Sequence, residues 1–458
     1  MMGEIARGSK ISAAALAILL SGCTMGPDYK RPPVNVPESY RHQAETQSAA
    51  SLGDEKWAEI YRDPELQKLI RTALAQNYDV RIAASRILQA QAQVGLARSQ
   101  SWPQIGSSIS YGGEKLGPFA FTFFQLLGSF SWDPDFWGKY RRATEAARAQ
   151  MLAAEWNRRG VLLAVVSNVA GAYFQLRELD LELDIARQTL ASRRESLQLT
   201  ETLSNGGAAS LLDVRQAEQL VETAAETIPA TEQQIAIEED LLSTLTGENP
   251  HPIPRGRAIT EEPLPAAVPA GLPSRLLERR PDILAAEQQL VAANAQIGVA
   301  RAAFFPDLPL TGAFGGESPQ LSGLFTHAGW NFSVPLNQPI FTAGRLRSNL
   351  KLVEAQREQA VLAYQQTIQQ AFRQVSDALI SYTKLREFRE RQQALTTAAQ
   401  SAADLSQIRY KGGAASYLEV LTNETNHFAA QLNLARAELN ERLSLVQLYA
   451  ALGGGWEQ

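Results

Sequence analysis

Two long stretches of the chain mix apolar, small and charged residues without a proline. They cover residues 139–204 and 345–411, in which Ala, Leu, Glu, Arg and Gln dominate. This pattern predicts helices, and at 1.5 Å of rise per residue each would extend roughly 100 Å. A Gly-Gly pair follows each stretch, and the chain then continues through 211–246 or 417–452, each roughly 54 Å long as a helix. The sequence therefore predicts two long antiparallel helix pairs.

Shorter apolar segments predict two β-hairpins, one at 104–132 and one at 308–334. The expected strands and the glycine-rich sections between them are 104–111, 112–118 and 124–132 in the first hairpin, and 308–314, 315–319 and 330–334 in the second. We expect the glycine-rich sections to form the turns. One continuous helix is expected before each hairpin, at 64–101 and at 281–305.

Aromatic residues gather at the ends of the predicted strands. They are Trp102, Trp132, Phe136 and Trp137 in the first half and Phe304, Phe305 and Trp330 in the second. Such residues favour the interface between membrane and water. Ordinary core packing at the base of a hairpin is an equally good explanation, and the sequence leaves both open.

The chain contains an internal repeat. Residues 206–214 align with 412–420 at an offset of 206, with seven matches in nine positions. We interpret the chain as two repeats, 57–252 and 275–458, each with a helix, a hairpin and a long helix pair. A section with five prolines, 253–274, joins the repeats and is expected to pack around the middle of the helices as an irregular belt.

The N-terminus has the features of a secretory signal. Arg7 and Lys10 precede an apolar run at 11–20, which is too short to span a bilayer as a helix. Small residues then precede Cys23, the one cysteine of the chain, in the order Leu-Ser-Gly-Cys. This order resembles a bacterial lipoprotein cleavage box.

That resemblance implies that residues 1–22 are a signal peptide and that Cys23 carries a covalent lipid. A buried structural cysteine is the alternative. Residue 24 is Thr and not Asp, which in such lipoproteins implies sorting to the outer membrane. The following segment, 23–56, begins with a proline-rich sequence and is expected to form an extended tether.

Composition excludes several classes of protein. The chain has 458 residues, of which 45% are hydrophobic and 20% charged, so it is neither disordered nor collagen-like. Its net charge of −5 gives no basic surplus for binding nucleic acid. The only dense apolar run lies at the N-terminus, which excludes a polytopic helical membrane protein.

No group of residues predicts an enzyme. The four histidines lie far apart in the sequence, and none has a second ligand at metal spacing. The sequence contains no phosphate-binding loop and no nucleophile elbow. Asp133 and Asp135 could suggest a catalytic carboxylate pair, but acids at the start of a helix explain them better. We therefore expect a protein without catalytic activity, metal or cofactor, apart from the lipid on Cys23.

Oligomerisation is expected from the strand number. Closing a barrel takes roughly eight strands before side chains fill its interior, and one chain supplies four. Two chains would supply eight strands and three would supply twelve, and only the larger barrel leaves room for an aqueous lumen.

Several motifs are spread along the mature chain. They are 23–29 (Cys-Thr-Met-Gly-Pro-Asp-Tyr), Trp57, 63–66 (Asp-Pro-Glu-Leu), both Gly-Gly turns and 409–413 (Arg-Tyr-Lys-Gly-Gly). In these motifs the chain resembles the TolC-like outer membrane factors, within them the NodT or OprM type of lipoprotein, and the likeness covers essentially the whole mature chain. The resemblance implies an α+β membrane protein, in which a homotrimer forms a long α-helical periplasmic tunnel and a transmembrane β-barrel of twelve strands, four per chain.

The resemblance also implies a function and partners. The protein would be the passive outer membrane exit duct of a tripartite efflux system for drugs and other small amphiphiles. A periplasmic adaptor and an inner-membrane pump, most often of the resistance-nodulation-division class, would deliver the cargo. A lipid-anchored periplasmic coiled-coil scaffold or adaptor without a barrel is the alternative, although it would not need two aromatic-flanked hairpins at equivalent positions.

In this family, side chains beside the turns close the tunnel. By position, Arg409 and Tyr410 match the basic and aromatic gate residues, and Asp213 and Glu419 match the acids. Thr422 departs from the pattern, because the family commonly has Asp there, so the acidic ring is expected to be thinner or displaced to Glu424. Without the family, each charged residue is explained as a solvated partner on a helix surface.

The turns themselves are expected to contact the adaptor. Their residues are Asn205, Gly206 and Gly207 within 205–209, and Lys411, Gly412 and Gly413 within 411–415. Glycine as a helix C-cap explains them locally.

Overall fold

The computed structural model describes residues 24–41, 50–261, 263–265, 268–326 and 328–456. The predicted signal peptide, 1–22, and Cys23 lie outside these residues. The described chain divides into two compact units. The sheet unit is drawn from Met1–Val34, Ser85–Trp156 and Ile283–Thr367, and the tip unit from Asn35–Ala84, Asn157–Asp282 and Ile368–Gln458.

Helices dominate the described residues, together with four strands. The α-helices are α1 (Trp57–Ile60), α2 (Pro64–Gln76), α3 (Tyr78–Ser99), α4 (Lys139–Asn205), α5 (Leu211–Thr246), α6 (Pro273–Arg279), α7 (Pro281–Ala302), α8 (Arg345–Lys411) and α9 (Tyr417–Ala451). The strands are β1 (Gln104–Leu116), β2 (Phe119–Trp132), β3 (Leu310–Ser318) and β4 (Ala328–Ser333). The four long helices agree within one residue with the stretches that the sequence predicts.

The prediction of one continuous helix over 64–101 is wrong. Asn77 departs from the helical backbone, with ψ of 133°, and it separates α2 from α3. Its side-chain oxygen accepts hydrogen bonds from the backbone of Asp79 at 2.8 Å and of Val80 at 3.3 Å. Asn is among the best N-cap residues because its side chain satisfies these free amides. The break is therefore a cap within a stretch of otherwise helical composition.

The strands form one antiparallel sheet in the order β1-β2-β3-β4. Gln104 pairs with Ser131 in the first ladder, and Thr311 pairs with Ser333 in the last. The central ladder, in which Phe124 pairs with Ser318, joins the hairpins of the two repeats. Each chain thus contributes a continuous four-stranded segment.

The prediction that the glycine-rich sections form turns is wrong for most of their residues. Gly112 and Gly315 lie inside β1 and β3, and the first turn contains only Gly117 and Pro118. A Cβ atom on Gly315 would lie 1.8 Å from the carbonyl oxygen of Leu126, and one on Gly112 would lie 2.8 Å from the Phe123 ring. These glycines allow close contact with the neighbouring strand, a use that sequence alone does not distinguish from a turn.

A buried carboxylate connects the start of α2 to the proline-rich link. Asp63 is 2% exposed. One of its oxygens accepts from the backbone of Glu65 at 2.8 Å and of Leu66 at 3.4 Å. The other accepts from the Tyr173 hydroxyl at 2.8 Å and from the backbone of Arg257 at 2.8 Å. Asp63 therefore caps α2 and binds α4 and the link at the same time.

The link 253–274 also contacts the long helices of the tip unit through side chains. Arg255 donates to Asp180 of α4 at 3.0 Å and forms an ion pair with Glu239 of α5. The Tyr382 hydroxyl of α8 donates to the carbonyl of Pro265 at 3.0 Å. Three helices therefore bind this irregular segment.

Two acidic side chains one turn apart on α4 are buried in the tip unit. Glu178 is 2% and Glu182 is 6% exposed. Arg436 of α9 donates to Glu182 at 3.0 Å. Burial, and then the neighbouring Glu182 carboxylate, raise the pKa of Glu178 to about 8, against the opposing effect of Arg436. The pair therefore holds a proton at neutral pH.

We expect the variant Glu178→Gln to flatten the pH dependence of stability. A carboxyl group whose pKa is raised on folding stabilises the native state at low pH. This contribution is lost as the pH rises from the ordinary glutamate pKa of 4.5 towards the raised pKa of about 8. The melting temperature of the wild type should thus fall between pH 6 and 9 by more than that of the variant, as measured by scanning fluorimetry. Glu195→Gln, on the exposed side of α4, should behave as the wild type; equal slopes for all three proteins would contradict the shared proton.

Candidate functional site

The sheet has one apolar face and one mostly polar face, as the strand registers show. Its apolar face carries Ile105, Ile109, Tyr111, Phe124, Leu126, Phe130, Phe314, Trp330 and Phe332. Its opposite face carries Ser108, Ser110, Gln125, Ser129, Thr311, Glu317 and Asn331, with aromatic residues only towards the β1–β2 turn. Ile105 is 84% and Trp330 is 79% exposed, so the apolar face has no cover within the described chain.

A row of hydrogen bonds crosses three strands on the polar face. The Ser110 hydroxyl donates to the side-chain oxygen of Gln125 at 3.4 Å, and the Gln125 amide donates to Glu317 at 3.1 Å. An exposed apolar face opposite a hydrated polar face is the period-two pattern of a membrane β-strand, with lipid on one side and water on the other. A soluble chain would instead expose a large aggregation-prone patch.

The helices give a weaker membrane signal than the sheet. Among the described helices, α4 contains a stretch that is long and apolar enough to cross a bilayer by length and composition. Half of that stretch is buried within the structure, which is typical of a core helix of a soluble protein. The membrane contact of this chain is therefore best explained by the strands.

Both explanations for the aromatic residues apply, each to a different subset. Trp137 stacks on Phe305 with ring centroids 4.6 Å apart, and its indole donates to the carbonyl of Pro306 at 2.8 Å. These two residues pack the base of the sheet. Trp102 and Trp330 are instead largely exposed, as membrane-facing aromatic residues would be.

Each long helix pair of the tip unit turns at a left-handed glycine. Gly207 and Gly413 have φ of 75° and 70°. The amide of Ala208 donates to the carbonyl of Leu203 at 2.8 Å, and that of Ala414 donates to Arg409 at 2.9 Å. A Cβ on either glycine would meet no atom within 4 Å, so the backbone angle and not space requires glycine here.

The acids at equivalent positions of the two turns have different partners. Asp213 caps its own helix, because it accepts from the Ser210 amide at 2.9 Å while its own amide donates to the Ser210 hydroxyl at 3.2 Å. Glu419, 206 positions later, forms an ion pair with Arg409, with Nε and Oε1 at 3.1 Å. The first repeat has Leu203 where the second has Arg409. The ion pair therefore forms only at the second turn of the described chain.

The Tyr410 ring lies in an apolar cluster at the same turn. It contacts Tyr417 edge-on, with centroids 5.3 Å apart, and packs against the buried Ala217 and Val420. Burial, and then the Asp213 carboxylate, raise the pKa of Tyr410, so its phenol stays neutral at physiological pH. The structure thus brings Arg409 and Glu419 together and places Tyr410 near Asp213.

A family model described as outer membrane efflux protein matches residues 69–248 and 272–454, which is most of the chain. The chain belongs to the outer membrane efflux protein family. It is 35% identical over 457 residues to the cation efflux system protein CusC of Escherichia coli O6:H1, covering 98% of this chain and 99% of that protein. It is 38% identical over 463 residues to the toluene efflux pump outer membrane protein TtgF of Pseudomonas putida, covering 97% of this chain and 96% of that protein.

The fold of this outer membrane efflux protein also matches a solved channel. The outer membrane channel MtrE of Neisseria gonorrhoeae, solved in its open state, superimposes with a TM-score of 0.87 at 30% identity, covering 95% of this chain and 99% of that one. The predicted fold class, function and location are thereby confirmed. The chain is an outer membrane channel component of an efflux system, and its family consists of transport ducts rather than enzymes.

The remaining predicted gate and tip residues of this efflux protein lie on the surface of the described chain. Thr422 is exposed, and its hydroxyl donates to the carbonyl of Leu418 at 2.8 Å. The predicted tip residues are all exposed: Asn205, Gly206, Gly207, Lys411, Gly412 and Gly413. No side-chain bond in the structure links Thr422 to Arg409 or Glu419 among the described contacts.

Glu424, the alternative position of the acidic ring, is half-buried in the tip unit. One of its oxygens accepts from Gln407 at 2.5 Å, and burial raises its pKa. It lines a cavity of about 210 Å³ together with the buried Arg193. The Arg193 guanidinium lies 4.9 Å from the centroid of the Phe428 ring and donates to the carbonyl of Leu220 at 2.7 Å. Sequence reasoning missed Arg193, because a charged residue on a long helix gives no sign that it faces inward.

Asp133 and Asp135 have structural partners at the start of α4. The Tyr140 hydroxyl donates to Asp133 at 2.9 Å, and the Arg141 amide donates to Asp135 at 2.8 Å. Among the described residues, no three His, Cys, Asp or Glu side chains come together as a metal site would require. The two acids therefore serve the junction between β2 and α4 in this efflux protein.

Proposed function

We propose that three copies of this chain form the exit duct of a tripartite efflux system for drugs and other small amphiphiles. The observation that carries this proposal is the two-faced sheet, whose outer strands, β1 and β4, each have a free edge within the described part of the chain. Three sheets of four strands give a barrel of twelve, wide enough for a lumen lined by the polar face. A periplasmic adaptor and an inner-membrane pump of the resistance-nodulation-division class deliver the cargo.

The turns of the tip unit form the closed end of this duct. Arg409 and Glu419 hold α8 against α9, with Tyr410 and Asp213 beside them and Thr422 outside the ion pair. The exposed turn residues of 205–209 and 411–415 have little side-chain bulk and offer backbone to a helical adaptor tip. Opening requires the Arg409–Glu419 pair to separate.

The mature chain is anchored by a lipid on Cys23. Directly after it, the Met25 amide donates to the carbonyl of Trp137 at 3.1 Å, and Thr24 packs within 3 Å of the Cβ position of Gly138. The segment after Cys23 is therefore held against the junction of β2 and α4, next to the membrane strands. No other covalent group or cofactor is part of this proposal.

A strain that lacks its outer membrane efflux channels but keeps a pump and adaptor tests this function. We expect the wild-type gene to restore export of a lipophilic dye and resistance to toluene, with the mature protein carrying a diacylglycerol mass at Cys23. The variant Cys23→Ser should lack that mass and fractionate less with the outer membrane. Restoration of resistance to metal ions alone would contradict the amphiphile proposal and favour the cargo named for CusC.

A further inference from the structure

An arginine-rich cavity of about 590 Å³ lies in the sheet unit, where α3, α4 and the first hairpin meet. Its lining includes three arginines, Arg98, Arg141 and Arg148, and two tryptophans, Trp102 and Trp132. None of the described lining residues is acidic. The function derived above makes no use of this cavity.

The charges of the cavity are only partly compensated. Arg141 is held by Asp135, with Nε and Oδ2 at 3.4 Å. Arg98 and Arg148 have no ion-pair partner among the described residues. Arg98 lies in the last turn of α3, where a cation offsets the helix dipole, but that explains one arginine and not three. Two guanidinium groups that line one cavity without a carboxylate match an anion such as a phosphate.

One wall of the cavity continues into the apolar face of the sheet. The Trp132 indole donates to the carbonyl of Ser101 at 3.1 Å, which fixes the ring. Trp132 lies on the same face as Phe130 and pairs with Leu310 of β3. Trp102 is 59% exposed beside it. A molecule bound at the arginines would therefore have its remaining part beside indole rings and exposed aliphatic side chains.

We propose that this cavity binds the phosphate headgroup of an anionic glycerophospholipid from the surrounding membrane, with its acyl chains along the apolar face. Guanidinium groups next to interfacial tryptophans suit such a lipid, because one end of it is a phosphate and the other is hydrocarbon. Inorganic phosphate shares the headgroup chemistry but would leave most of the cavity and the whole indole wall without a contact. The bound lipid would fix the junction of β2 and α4 at the membrane surface.

Native mass spectrometry of the full-length protein in detergent tests this proposal. After incubation with phosphatidylglycerol or phosphatidylcholine, we expect the wild type to retain phosphatidylglycerol preferentially. The double variant Arg98→Gln with Arg148→Gln should bind phosphatidylglycerol roughly tenfold or more weakly than the wild type. Each substitution removes one basic residue that attracts the anionic headgroup near the membrane surface. The matched control Arg194→Gln with Arg391→Gln removes two exposed arginines of the tip unit and should bind as the wild type.

Three results would overturn the proposal. Equal loss of phosphatidylglycerol in the control would mean that net charge alone attracts the lipid. Displacement of the lipid by an equal concentration of inorganic phosphate would show that the cavity binds small anions and not specifically a lipid. Efficient photocrosslinking between copies from a photoreactive residue placed at position 148 would show that a second chain covers the cavity. Unchanged oligomer mass and circular dichroism of the double variant establish that it folds, so that a loss of lipid reports on the cavity.

Discussion

Replacing Arg409 with serine is expected to raise the open probability of the channel in planar bilayers roughly tenfold. Arg409 forms the ion pair with Glu419 that joins α8 to α9 beside the turn. Both side chains are partly exposed, so one pair contributes only about 0.5 kcal/mol. If three chains close one pore, three pairs act together and give about 1.5 kcal/mol, which is roughly tenfold in the ratio of open to closed channels.

Two further variants separate a gate from a general effect of charge. Glu419→Gln should raise the open probability as Arg409→Ser does, and the double variant should add little, because both changes remove the same interaction. Arg194→Ser removes an exposed arginine from α4 and should leave the open probability unchanged. Asp213→Asn should have a smaller effect, since Asp213 caps its own helix. Unaltered open probability in both Arg409→Ser and Glu419→Gln would contradict the gate.

The helices of this fold were predictable because their signals are local. A proline-free stretch of strong helix formers, ended by a glycine with positive φ, specifies α4 and α8 without knowledge of their partners. The repeat then placed the two hairpins at equivalent positions. The break at Asn77 could also have been found, since Asn before a helical segment is a common N-cap.

The features that sequence could not supply depend on contacts between distant segments. Gly315 lies in β3, where the absence of a Cβ lets the Leu126 carbonyl of β2 come close. Arg193 faces inward, where its guanidinium contacts the Phe428 ring and the Leu220 carbonyl. The two turns have nearly identical sequences, yet Asp213 caps a helix while Glu419 pairs with Arg409. The difference follows from two substitutions between the repeats, Leu203 against Arg409 and Asp213 against Glu419, whose effect needs the geometry of the turn.

The variant Asp63→Asn is expected to increase tryptic cleavage of the link 253–274 up to roughly a hundredfold. All four groups that face Asp63 donate hydrogen bonds: three backbone amides and the Tyr173 hydroxyl. Each carboxylate oxygen of Asp63 faces two of these donors. The Asn side chain has the same shape, but its NH2 group would point a donor at one of the two pairs of donors. The hydroxyl cannot reverse its role without cost, because it already accepts from the Gly256 amide at 2.9 Å.

A buried mismatch of this kind costs about 3 kcal/mol, which corresponds to roughly a hundredfold in the population of locally opened molecules. Arg255 and Arg257 are the tryptic sites that such opening exposes, and the rate of cleavage after them measures it directly. Gly256→Ala should act in the same direction, since a Cβ there would lie 2.1 Å from the Asp63 carboxylate. Asp79→Asn changes an exposed acid in the first turn of α3 and should cleave as the wild type. If Asp63→Asn cleaves no faster than Asp79→Asn, the link is held by the Arg255 ion pairs and not by Asp63.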